Sequence, residues 1–147
     1  VLVAALGPRM LRLAAERTAG TVTWMTGPRT LAEHTVPTLT AAAEEAGTGP
    51  MRVVAALPVA VTDDPDGVRA RAAQVFQVYG QLPSYRAMLD REGAQGPADV
   101  ALVGSVEEVR AGIERMRDAG VTDFVAVEFL PHEPVRTATR ELLREYT

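Results

Sequence analysis

Cysteine is absent from the chain. That excludes a disulfide framework, a zinc ribbon and thiol catalysis, and is consistent with a reducing, cytoplasmic setting. Lysine is missing too, so all 15 Lys/Arg positions are arginine. Those arginines are scattered and the formal net charge is −4, which leaves no basic face of the kind nucleic acid demands. No apolar run reaches the roughly 18 residues a membrane span needs, and no basic leader precedes a hydrophobic stretch. The two histidines, His34 and His132, are far apart and lack metal-ligand spacing, so no metal site is expected. An initiator methionine is also missing: Val1 opens in mid-pattern, and a piece of a longer chain is expected.

What remains is an ordinary globular composition, 47% hydrophobic and 23% charged over 147 residues. That length suits one domain with a real core, here residues 1–147. The pattern alternates strand and helix, the signature of an α/β fold with a parallel sheet. Val1 to Ala5 reads as a short strand stopped by Gly7-Pro8, and a helix then runs to about Gly20. Thr21 to Met25 is a second strand, and Thr26-Gly27-Pro28 opens the next helix, with Pro28 suited to its first position. Arg52 to Val61 is nearly all apolar, as in a strand buried on both faces. Thr62-Asp63-Asp64-Pro65 supplies helix-start chemistry. Val68, Ala72, Val75, Phe76 and Tyr79 then form one helical stripe, broken by Gly80 to Pro83. A short extra helix is expected over Tyr85 to Gly93, and Val100 to Val103 reads as a short strand or an extended link. Ser105 and Glu108 form a capping box for the following helix, which Gly120 ends. Phe124 to Phe129 is the last strand, and Pro134 to Tyr146 a closing helix. This amounts to four βα units, about half of a (β/α)8 barrel of ~250 residues. Such a half leaves sheet edges unpaired and a barrel-facing layer unfilled, so a homodimer or a longer chain is expected.

Ligands of α/β folds bind beyond the C-terminal ends of the strands. The first such loop, Ala5-Leu6-Gly7-Pro8-Arg9-Met10, combines a glycine that permits close backbone approach with a proline at a helix start. Its free first-turn N–H groups form an anion site, to which Arg9 could add a charged hydrogen bond; the alternative is a plain strand-to-helix turn. Gly27-Pro28-Arg29 repeats the tripeptide, and two similar helix starts explain that repeat best. Thr23 is either a phosphate partner or one of several strand threonines, and Trp24 either covers a flat ring or fills the core. Tyr85 and Arg86 are candidates for substrate contact. Asp63-Asp64 and Glu107-Glu108 read as helix caps. Ser84 and Ser105 lack the surroundings of a nucleophile. From the residues alone, no catalytic group can be named.

The order Val3-Ala4-Ala5-Leu6-Gly7-Pro8-Arg9-Met10-Leu11-Arg12-Leu13-Ala14, then Ala19-Gly20-Thr21-Val22, resembles the luciferase-like monooxygenase family. It is most similar to the branch that uses the deazaflavin coenzyme F-420. Val53 to Asp64, Val78 to Arg86 and Asp118 to Phe124 are also typical of that branch, whereas Ala19 stands where an acidic residue is usual. The resemblance covers nearly the whole chain but only the C-terminal half of the family's fold. It implies a (β/α)8 barrel of the luciferase-like type that holds coenzyme F-420, or alternatively FMN, at its C-terminal face. Ala5, Leu6, Gly7, Pro8, Arg9 and Met10 would form the phosphate loop, with Thr21, Val22 and Thr23 beside it. The implied reaction is hydride transfer between the deazaflavin and a small organic substrate. The implied alternatives are an FMN-dependent monooxygenase and a non-catalytic half barrel that dimerises or binds a partner.

Overall fold

The computed structural model describes residues 1–130 and 132–147. Five parallel strands form one sheet: β1 (Val3–Ala4), β2 (Gly20–Trp24), β3 (Arg52–Val61), β4 (Leu102–Gly104) and β5 (Asp123–Val127). β3 organises the sheet. Its first half pairs with β2, from Gly20 opposite Arg52 to Trp24 opposite Ala56. It also pairs with β5, from Val54 opposite Asp123 to Pro58 opposite Val127. Its last three residues pair with β4. Pro58 falls after the last β2 partner and before the first β4 partner, so its missing N–H interrupts neither ladder. Among the described residues β1 pairs only with β2, through Val3–Thr21 and Ala4–Val22.

Among the described residues seven α-helical segments flank these strands: α1 (Pro8–Arg17), α2 (Pro28–Thr30), α3 (Val36–Ala46), α4 (Pro65–Val75), α5 (Pro83–Glu92), α6 (Val106–Asp118) and, after β5, α7 (Glu133–Leu143). A π-helical turn, Leu31–Thr35, joins α2 to α3. The capping box is present as expected: the Glu108 N–H donates to Ser105 Oγ at 3.3 Å and the Ser105 N–H to Glu108 Oε2 at 2.8 Å. At α4, Asp64 accepts from the Gly67 N–H at 3.0 Å. The stripe predicted to run from Val68 to Tyr79 stops early. α4 ends at Val75, which is exposed, and Gln77–Gly80 is a 3-10 turn that carries Tyr79. Three aromatic contacts favour this turn, because Trp24 meets Phe76 and Tyr79 edge-on and Tyr79 meets Tyr85 likewise.

The core lies between the sheet and its helices. Leu11, Leu31, Leu39, Leu57, Leu89 and Met116 are fully enclosed there, each contributing on the order of 2 kcal/mol by burial. The register places Ala4, Val22, Ala56 and Val125 on the opposite sheet face. That face is unevenly covered: Ala4 and Val125 are exposed and Val22 and Ala56 half-buried, whereas Val54 is buried. β5 pairs only with β3 among the described residues. A partly bare face and single-sided end strands are what a partial barrel leaves. No helix among the described residues is long and apolar enough to cross a membrane.

Candidate functional site

The first two strands end at a cavity of about 340 Å³. It is lined by Ala4, Ala5, Leu6, Gly7 and Met10 from the β1–α1 connection and by Val22, Thr23 and Trp24 from β2. Ser84 and Tyr85 close it from the first turn of α5. Six of the nine residues predicted to hold a cofactor, Ala5, Leu6, Gly7, Met10, Val22 and Thr23, therefore share one cavity wall. The other three stand apart from it. Thr21 is fully buried, and its hydroxyl donates to the Val3 and Ala5 carbonyls at 3.1 and 3.4 Å. Pro8 and Arg9 are exposed. Arg9 has no ion pair or side-chain hydrogen bond among the described residues.

The two Gly-Pro-Arg turns allow an internal comparison. Gly7 and Gly27 both cap their helices in extended backbone, with φ/ψ of −81/158 and −79/170, followed by proline at the first helical position. Neither helix start has a local side-chain cap or an acid in its first turn among the described residues. At the second copy a carboxylate fills the vacancy from another element. Glu92, the last residue of α5, accepts from the Arg29 N–H at 3.2 Å and the Thr30 N–H at 2.7 Å. At the first copy no carboxylate reaches the corresponding N–H groups of Arg9 and Met10 among the described residues. The space differs accordingly: a Cβ built on Gly27 would lie 2.3 Å from Glu92 Cδ, whereas one on Gly7 meets nothing within 4 Å. The same backbone motif is thus closed by an internal anion in one place and left open onto a cavity in the other. The second copy is a helix start, as expected from sequence, and the Glu92 carboxylate caps it from another element.

Other features of the cavity wall are held in uncommon states. The Trp24 indole N–H is buried with no hydrogen-bond partner among the described residues, a costly condition that native folds rarely keep. Met25, the next residue, has φ +55 and is fully buried, a left-handed backbone that strains a side chain of its size. Burial holds the Tyr85 phenol above its usual range, with Tyr79 adding to the effect.

Another cavity, lined by Thr62, Asp64, Gly67, Arg71, Leu130 and His132, also sits beyond strand ends, and there Asp64 fills the adjoining helix start with its own charge. A groove of about 450 Å³ between α6, α7 and β5, lined by Ile113, Phe124, Leu143 and Tyr146, lies on the helix side of the sheet, away from the strand ends. Among the described residues no group of three or more His, Asp or Glu side chains is placed to hold a metal.

The parallel sheet with its interleaved helices defines an α/β protein. A sequence profile described as luciferase-like monooxygenase matches residues 1–123, and the chain belongs to that family. No curated protein sequence matches. Among solved structures, an F-420-dependent secondary alcohol dehydrogenase bound to an F-420–acetone adduct superposes with a TM-score of 0.73 at 23% identity, covering 99% of this chain and 47% of that one. A coenzyme F-420-dependent tetrahydromethanopterin reductase from Methanopyrus kandleri gives 0.73 at 24%, covering 97% and 48%. The oxygenating constituent of 3,6-diketocamphane monooxygenase from Pseudomonas putida, in complex with FMN, gives 0.66 at 21%, covering 97% and 46%. The chain spans about half the length of these proteins.

Trp24, Ser84 and Tyr85 complete a site that the strand–turn–helix pattern only half revealed. Trp24 and Tyr85 stood out as aromatics near strand or loop ends, whereas Ser84 offered only the absence of nucleophile surroundings. Glu92 carried no signal at all, because its partners lie 62 and 63 positions earlier.

Proposed function

We propose that the chain contributes the phosphate-binding part of a flavin-type oxidoreductase, and that its cofactor is coenzyme F-420. One observation carries this reading: the α1 N-terminus opens, uncapped, onto the cavity, while its duplicate at α2 needs a carboxylate to close it. A phosphate beside Gly7 would take the place that Glu92 takes beside Gly27, meeting free N–H groups and the positive end of the helix dipole. The open space at Gly7 lets that group approach the backbone closely. Val22, Trp24 and Tyr85 would cover the neighbouring apolar part of the ligand and keep water from it. When bound, the deazaflavin supplies a hydride acceptor or donor for a small organic substrate.

The family and the similar F-420-dependent enzymes support an oxidoreductase of this kind. An FMN-dependent monooxygenase is the second reading, favoured by the FMN complex among the similar folds. Fluorescence titration with coenzyme F-420 and with FMN separates the two. Trp24, the only tryptophan, lines the cavity and serves as the reporter. Saturable quenching by F-420 at concentrations where FMN has no effect supports the first reading; the reverse order supports the second. No saturable quenching by either overturns the site.

A further inference from the structure

His34 has no part in the site as described so far, yet it touches the loop on which that site rests. Its ring Nε2 lies 3.0 Å from the Leu6 carbonyl oxygen, 28 positions earlier in the chain. A carbonyl only accepts, so Nε2 carries the proton and donates it. The ring is buried. His34 reaches this position because it belongs to the π-helical turn Leu31–Thr35 that interrupts the α2–α3 helix. Residues of a regular α-helix are about 100° apart around the axis, so the extra residue of a π turn re-aims the side chains around it.

The geometry points to His34 as a positioning residue for the phosphate loop, holding the Leu6–Gly7 peptide so that the Gly7 N–H faces the ligand. No peptide in the described chain is cis, and a trans peptide sets its C=O and N–H on opposite sides of the chain. With the Leu6 carbonyl tied to His34, the Gly7 N–H is directed away from His34. The Thr21 hydroxyl shares its one proton between the Val3 carbonyl at 3.1 Å and the Ala5 carbonyl at 3.4 Å, which steadies the strand end just before this peptide. The Leu6 carbonyl is thereby held by a buried side chain of the π turn, and Leu6 and Gly7 both line the cavity. His34 needs no contact with the ligand for this, and it acts on the phosphate end alone.

The inference rests on the phosphate-loop reading, and the test separates the two. Dissociation constants are measured for FMN and riboflavin, which differ only by the phosphate, and for coenzyme F-420 and its deazaflavin core, which lacks the whole phosphate-linked tail. His34→Phe keeps a ring but loses the donor; His34→Gln restores an N–H donor at similar reach. The expected result is a loss of about tenfold in affinity for the phosphorylated member of the pair that binds. Its partner without phosphate is unchanged, and Gln recovers most of the loss. In the ligand-free protein, His34→Phe should also shift the Gly7 amide resonance and speed its hydrogen exchange, while Gln leaves both near wild type. If wild type prefers the phosphorylated ligand and His34→Phe keeps that preference, the inference is wrong and the phosphate loop stands. If wild type shows no preference, the phosphate loop falls and the inference with it. An equal loss of both members of a pair in His34→Phe, or an unmoved Gly7 amide, makes His34 a packing residue and overturns the proposal.

Discussion

Alanine substituted at the two equivalent glycines, Gly7 and Gly27, should have opposite consequences. Both are helix N-caps with nearly the same φ and ψ. The local effects of Gly→Ala are therefore shared: some loss of cap preference, offset by about 0.4–1 kcal/mol from the stiffer unfolded chain. What differs is the surroundings. At Gly7 the new Cβ meets nothing within 4 Å, so stability should stay within about 0.5 kcal/mol of wild type. At Gly27 the Cβ would lie 2.3 Å from Glu92 Cδ. The carboxylate is the end of a flexible side chain and can swing away, so the steric clash itself is minor. Moving it releases the N–H groups of Arg29 and Thr30, and Thr30 is buried. Two charge-assisted hydrogen bonds at a partly exposed site amount to about 2 kcal/mol. Urea denaturation of wild type, Gly7→Ala, Gly27→Ala and Glu92→Ala measures this. Gly27→Ala and Glu92→Ala should lower the midpoint alike, and combining them should cost little more than either alone. Gly7→Ala should hold the wild-type midpoint while weakening phosphorylated flavins by at least tenfold, because the methyl occupies the space the phosphate needs. Equal stability losses at Gly7 and Gly27, or full additivity of Gly27→Ala and Glu92→Ala, would refute the argument that one helix start is filled and the other open.

Further outcomes follow from the same geometry. Gly7→Asp should abolish binding of phosphorylated cofactors by charge repulsion, with riboflavin affinity unmoved in the same titration. Thr139 is buried and its hydroxyl oxygen accepts the Val61 N–H at 2.9 Å, so Thr139→Val strands a buried donor and should cost about 1–3 kcal/mol in chemical denaturation. The Glu128 carboxyl is held below its usual range, first by the hydrogen bond from Arg140 and then by the attraction of Arg140 and Arg136, against a desolvation effect that raises it. A carboxyl with a depressed folded pKa stabilises at pH values above its unfolded value, and that stabilisation fades as pH falls through the folded one. Glu128→Gln should therefore lower the urea midpoint at pH 7 and match wild type once the pH lies below the carboxylate range; a constant difference across pH would contradict the pairing.

The local codes along the chain are strong enough to specify most of its elements. The apolar run of β3, the Ser105–Glu108 box and the Asp64 cap act over a few residues, and the structure holds all three. The Gly-Pro turn after β1 is equally local, which is why the backbone of the candidate site could be read from sequence. The early end of α4 could not, because the aromatic contacts with Trp24 and Tyr85 join residues distant in sequence, and the π turn and the left-handed Met25 carry no local signal either. The same holds for what distinguishes the two Gly-Pro-Arg copies. By sequence they are identical, and the plain reading of the second was the reasonable one. Only tertiary structure brings Glu92 to one and a cavity to the other, and only it sets His34 beside Leu6. Helix and strand propensities act between near neighbours, whereas an anion site depends on which charges the folded chain carries to it.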